Sequence, residues 1–192
     1  LPYGSRAGGP AFAMPHGIVL FIGALCFIVF LTEGAVLDWS AVFLSSVRGV
    51  DPSHAGLAYT AFAITMTIGR LTGDRIVRFA GANRIIVFGG LCAAAGLAIA
   101  TLAPFWEAAL LGYALVGAGC SNVVPVLYSA VGRQNVMPEH IAVPAVTPLG
   151  YAGILAGPAG IGFVAQATSL STAFLVVAVV VVGVAASSRW LR

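Results

Sequence analysis

The sequence contains no lysine, and charge of either sign is scarce: nine arginines and six acidic residues are all that 192 positions carry. Charged residues make up 8% of the chain, against about a quarter of an ordinary soluble domain. So few charges cannot cover the surface of a water-soluble domain of this size, whereas a solvent of lipid tails makes no such demand. Cysteine is nearly as sparse. Cys26, Cys92 and Cys120 stand far apart inside apolar runs, with no CxxC spacing. That argues against a disulfide framework, and more strongly against a thiolate metal site, and favours small, buried packing residues. The net charge of +3 gathers in no basic patch interleaved with aromatics, which argues against a nucleic-acid partner. Nothing in the chain calls for a cofactor or a metal.

What is abundant is apolar: 60% of residues are hydrophobic and the mean hydropathy is +1.03. A helix needs about 20 apolar residues to cross a bilayer core. Runs of that kind predict an all-α integral membrane protein with six spans, at about 17–44, 55–73, 85–103, 106–131, 141–165 and 170–188. Barrel strands fit poorly, because the runs are too long and do not alternate polar with apolar residues. The breaks between them carry turn chemistry: Asp51-Pro52-Ser53, then Pro104, Pro138 and Thr168-Ser169. The first run is too long for a signal-peptide core, and five more follow it. Residues 1–16, rich in Gly and Pro and beginning at Leu1, read as a cytoplasmic linker ahead of a six-helix domain at 17–192, in what looks like a fragment or processed chain.

The arginines orient the bundle. With both termini in the cytoplasm, Arg6, Arg75, Arg78, Arg84, Arg133, Arg189 and Arg192 lie inside and Arg48 alone lies outside, a strong positive-inside bias. Arg70 is expected at the inner end of the second span, its stem reaching for the interface. The 24 glycines suit close helix contacts in lipid. Gly153 and Gly157 stand four apart on one face of the fifth span, Pro158 is expected to kink that helix, and Pro125 the fourth.

Between the second and third spans the chain reads Gly69-Arg70-Leu71-Thr72-Gly73-Asp74-Arg75-Ile76-Val77-Arg78-Phe79-Ala80-Gly81-Ala82-Asn83-Arg84. Its glycines read as helix breakers and its charges as a latch, with Asp74 pairing a nearby arginine or capping a neighbouring helix. Positive-inside anchoring accounts equally well for Arg75, Arg78 and Arg84. This stretch resembles the cytoplasmic signature loop of the major facilitator superfamily, G-x-L-x-x-D-R-x-G-R-R, in the degenerate copy of its second half. It departs in the longer spacing from Asp74 to Gly81 and in Ala82-Asn83, where basic residues are common. Gly157-Pro158-Ala159-Gly160 is similar to that superfamily's eleventh helix, and Glu33 to Ser40 looks like the seventh helix of its bacterial, fucose-permease-like branch. The resemblance implies helices seven to twelve of a twelve-helix transporter in the bacterial cytoplasmic membrane, built as an inverted 3+3 repeat. It also implies an N-terminal six-helix partner half, and a cavity faced by the first, second, fourth and fifth spans of this half.

Ionisable residues inside a span are costly and are functional candidates. Glu33 lies about sixteen residues, or about 24 Å, into the first helix, which puts it in the outer half. A carboxyl there is suited to carrying a proton, to binding a substrate hydroxyl or amine, or simply to holding helices together. Asp38 is about 140° round the helix from Glu33 and, beside Trp39, marks the outer interface or has a direct transport role. Tyr59, Asn122, Tyr128, Thr147 and Tyr151 are candidates to line a pathway, or else to bond neighbouring helices. The expected function is secondary active transport of a small organic solute by alternating access, with proton symport resting on Glu33. Rival readings are a membrane scaffold or complex subunit, which would need neither Glu33 nor the charged loop, and an intramembrane serine protease. The protease would use Gly119-Cys120-Ser121-Asn122, but no histidine lies deep in a later span to act as base. Self-association in place of a separate partner half stays open.

Overall fold

The computed structural model describes residues 14–191. Arg6, Arg192 and most of the expected linker at 1–16 lie outside these residues. The described chain forms seven α-helices: α1 (Ile18–Ser46), α2 (Leu57–Ala80), α3 (Ala82–Leu102), α4 (Trp106–Cys120), α5 (Val123–Arg133), α6 (Glu139–Ala167) and α7 (Leu170–Ser187). A short 3-10 turn at Ser188–Trp190 follows. The bundle is all-helical, with no strand among the described residues. α4 and α5 form one span, interrupted at Ser121-Asn122. Pro125 has no N–H to offer the Ser121 carbonyl, so the helix ladder breaks one turn ahead of the proline rather than at it.

Five spans are long and apolar enough to cross a bilayer: Ile18–Ser46, Ala82–Leu102, Trp106–Arg133, Glu139–Ala167 and Leu170–Trp190. α2 is the exception among the described spans. It is long enough at 24 residues, but Arg70, Asp74, Arg75 and Arg78 lie within it. The stretch read as a loop from Gly69 to Arg84 is therefore mostly helix. Gly69 and Gly73 do not break α2, because both are buried against the Ser121-Asn122 break, where a side chain would not fit. The turn is a single residue, Gly81, whose φ of 82° is open to glycine and strained for any residue with a Cβ.

α1 packs along α6, α2 along α4, and α3 along both α4 and α7. Small residues set how closely these axes approach. On the α1–α6 contact, Gly153 meets the Phe27 carbonyl and Gly157 the Leu31 carbonyl. Gly34 of α1 lies against the Ile154 carbonyl, the one that Pro158 leaves without an N–H partner. The Pro158 carbonyl in turn accepts the Trp39 indole N–H at 3.1 Å, and α6 continues past Pro158 to Ala167. A reciprocal glycine seam joins α3 to α4. A Cβ built on Gly96 would lie 2.5 Å from the Gly112 carbonyl oxygen, and one on Gly112 2.5 Å from that of Gly96. Gly89 and Gly119 repeat the arrangement two turns away, at 2.6 and 2.5 Å.

The bundle has two unlike ends. Arg75, Arg78, Arg84, Arg133 and Arg189 lie towards the end shared by the start of α1 and the close of α7, where Trp190 meets Phe21 edge-on. At the other end Arg48 turns inward, donating to the carbonyls of Ala100 and Thr101 at 3.3 and 2.5 Å while its guanidinium sits 5.2 Å from the Phe43 ring centre. It thereby closes the C-terminus of α3, where carbonyls lack helical partners. In the loop beyond it, the Ser53 hydroxyl and backbone N–H both donate to Asp51, holding that carboxyl below the usual carboxylate range.

Candidate functional site

Glu33 lies midway along α1, not in its outer half, because α1 continues to Ser46. Arg70 likewise lies midway along α2, since that helix runs seven residues past Gly73. The two meet. Arg70 Nη2 stands 3.3 Å from Glu33 Oε2, the one ion pair among the described residues. The partners are unequally sheltered: the Glu33 side chain is 12% exposed and that of Arg70 50%. Glu33 Oε1 is buried with no hydrogen-bond partner. The expectation of an interfacial Arg70 is corrected on this geometry, because its charge finds a carboxylate at mid-helix.

Beside the pair opens a cleft of about 740 Å³. Its walls come from α1 with Phe30, from α2 with Arg70, Gly73, Asp74 and Arg78, from the α4–α5 span with Asn122, Tyr128 and Ser129, and from α6 with Tyr151. No residue of α3 or α7 lines it. On α2 the spacing of Arg70, Asp74 and Arg78 at four-residue steps puts all three on one face. The Asp74 carboxylate forms no ion pair with any described residue, and its backbone carbonyl accepts from Arg78 Nε at 3.2 Å. Across the cleft, Phe30 and Tyr151 stack nearly parallel, 5.6 Å between ring centres and 12° between planes.

The polar residues of the opposite wall are held by defined contacts. Asn122 is buried at the α4–α5 break, where its amide donates to the Gly69 carbonyl and to Ser121 Oγ, both at 3.0 Å. The absence of side chains at Gly69 and Gly73 is what admits Ser121 and Asn122 to α2. The Tyr128 hydroxyl donates to Thr147 Oγ1 at 3.3 Å, and Thr147 donates back to the Val143 carbonyl of its own helix at 2.9 Å. Thr147 thus orients Tyr128 from behind.

The candidates divide accordingly. Asn122, Tyr128 and Tyr151 line the cleft, Thr147 supports it, and Glu33 backs it through Arg70. Asp38 and Tyr59 are exposed and are not among its lining residues. Arg75 and Arg84 are exposed and also lie away from it, while Gly81 forms the turn that ends α2. Pro125 lines the cleft, whereas Gly153, Gly157 and Pro158 serve the α1–α6 contact. Sequence reasoning missed the partnership of Arg70 with Glu33, although Arg70, Asp74 and Arg78 share a helical spacing that could have suggested a single lining face. It also missed Phe30, which is indistinguishable in sequence from any other apolar residue of α1. Among the described residues no group of histidine, cysteine and carboxylate side chains could hold a metal ion.

The sequence matches no protein-family model. It is 55% identical, over 97% of its length, to an MFS-type transporter of Yersinia pestis, of which it covers 48%. It is 35% identical over 88% of its length to the membrane protein MosC of Rhizobium meliloti, covering 42% of that protein. A third relative, the transporter y4wD of Sinorhizobium fredii, is 29% identical over 90% of the chain, which covers 46% of it. The chain spans about half the length of the curated relatives it matches. It is a multi-pass helical membrane protein, similar over nearly all its described and undescribed length to half-length portions of proteins that include named transporters.

Proposed function

We propose that this chain is the second six-helix half of a major-facilitator secondary transporter, moving a small organic solute by alternating access with an N-terminal partner half. The observation that carries the reading is the Glu33–Arg70 pair at mid-helix on the wall of a cleft drawn from four spans. Charges at that depth cost several kcal/mol in lipid, roughly 2.5–3.5 each on insertion scales, and persist where they face one another or a watered pathway. The relatives twice as long support a missing half, and the cleft is the surface that half would complete. The arginine-rich end belongs in the cytoplasm of a bacterial inner membrane by the positive-inside bias. Exchanging the first three spans with the last three maps the α1–α6 contact onto that of α4 with α2, which supports an inverted 3+3 repeat.

Glu33 is the proton carrier in this reading, and Asp74 with the arginines of α2 forms a latch against the partner half. The test is uptake of labelled sugars, amino acids and organic acids into vesicles holding either the full-length parent or this half alone. Uptake by the parent only, driven by an inward proton gradient, is the expected result. Uptake by this half alone would replace the two-half machine with a self-paired dimer. A parent that accumulates nothing under any ion gradient would leave a scaffold.

A further inference from the structure

The ion pair in the cleft is incomplete. A guanidinium presents five N–H donors in a planar fork that matches a carboxylate with two parallel bonds. Glu33 engages Arg70 through a single nitrogen at 3.3 Å, and half of the Arg70 side chain remains open. Arg78 stands two turns further along the same wall, and Asp74 between them carries no ion pair among the described residues. The cleft therefore offers an acidic group a cation at mid-depth that its own carboxylate only partly occupies.

Resting on the transporter reading above, we propose that the solute is an organic anion, whose acidic group docks on Arg70 in place of Glu33. The stacked Phe30 and Tyr151 rings give its carbon skeleton an apolar wall, and the volume of about 740 Å³ lies in the small-molecule range. Displacement leaves Glu33 without its cation, with Oε1 already buried and lacking a donor. A buried carboxylate in that position is uncompensated, so it takes one proton from cleft water as the anion arrives. One negative charge enters, one proton enters, and the net charge of the site is unchanged. Asp74, one turn along α2 from Arg70, is the other carboxylate on this wall and the competing base for that proton. Around Glu33 itself α2 presents Arg70, α4 the buried Cys120 thiol, and α5 and α6 the cleft-lining Tyr128 and Tyr151. α7 has no titratable residue between Leu170 and Ser187.

The test uses the full-length protein in proteoliposomes with Ser129→Cys, an exposed cleft position whose hydroxyl bonds only its own helix. Anionic sulfonatoethyl and cationic trimethylammonioethyl methanethiosulfonates are compared, each normalised to its rate with a free thiol and corrected for the protein without the new cysteine. The expected ratio favours the anion by about tenfold, the lower end of what a charged cleft imposes. Arg70→Gln should bring the ratio to one or below, Arg70→Lys should keep it, and Glu33→Gln should raise it by freeing Arg70. A ratio of one or less in the unaltered cleft, or one indifferent to Arg70→Gln, overturns the proposal. Vesicles that show the ratio but fail every uptake assay retain the anion site and lose the transport reading. Vesicles that transport without the ratio do the reverse.

Discussion

Glycine meets two kinds of obstacle in this molecule. Along the α3–α4 seam, Gly96 and Gly112 face each other's backbone carbonyls, as do Gly89 and Gly119. Along α2, Gly69 and Gly73 face the side chains of Ser121 and Asn122. Backbone in the middle of a helix cannot turn aside, whereas a side chain can change rotamer at modest cost. The first contact therefore fixes the distance between two helices, as does Gly117 of α4 against the Phe62 carbonyl of α2, whereas the second leaves only the Gly69–Gly73 stretch of α2 able to adjust against the break between α4 and α5. The cleft borders the second kind of contact, so the adjustable wall and the polar site coincide.

The largest effect should come from placing bulk in the seam. Gly96→Leu is expected to abolish recovery of folded protein, and Gly96→Ala to destabilise it by about 1–3 kcal/mol, the usual cost of overpacking. Thermal unfolding in detergent measures this, and an unchanged transition would mean that the seam yields after all. Glu33→Gln should act the other way round. Its unfolding transition should stay close to that of the unaltered protein, while proton-driven uptake falls at least about tenfold, the equivalent of about 1.4 kcal/mol, and loses its pH dependence. Unaltered uptake with the same pH profile would remove Glu33 from the coupling. Asp74→Asn is expected to slow turnover a few-fold with KM preserved, and a normal rate would argue against a latch. Gly73→Ala tests the contrast directly. Because Asn122 can give way, its cost should stay below about 1 kcal/mol, with its main effect on transport rate; a loss as large as that of Gly96→Ala would make both contacts rigid. Smallest of all is Gly183→Ala, where nothing lies within 4 Å of the added carbon and stability should hold within about 0.5 kcal/mol.

How legible these features are in sequence depends on how local they are. Apolar run length is local, and it suffices for an all-helical membrane bundle and for noticing Glu33 as a carboxylate inside a span. The polar residues that converge on the cleft, Asn122, Tyr128 and Tyr151, stand out because so few polar side chains occur in the later spans. The Arg70 pairing spans 37 residues and two helices, so no periodicity within α2 reveals it. The glycines at 69 and 73 misdirect further, since a glycine within a helix weakens it in water but becomes an asset where another span must come close. The α3–α4 seam is hidden for a related reason. Its glycines are seven apart on each helix, and only their antiparallel alignment turns two ordinary spacings into reciprocal contacts.

The inward-turned Arg48 bears on how the protein is made. Its acceptors, the carbonyls of Ala100 and Thr101, come 52 and 53 residues later in the chain. At synthesis rates of 5–20 residues per second, roughly 3–10 s pass before those carbonyls exist. During that interval the first hairpin must keep a bare guanidinium in water at the membrane surface, and the ring of Phe43 is its nearest companion. Only when α3 has been threaded into the bilayer can the arginine fold inward and close that helix. Completion of the first three spans is thus marked by the docking of a half-buried charge on the end of α3, a step set by the order of the chain.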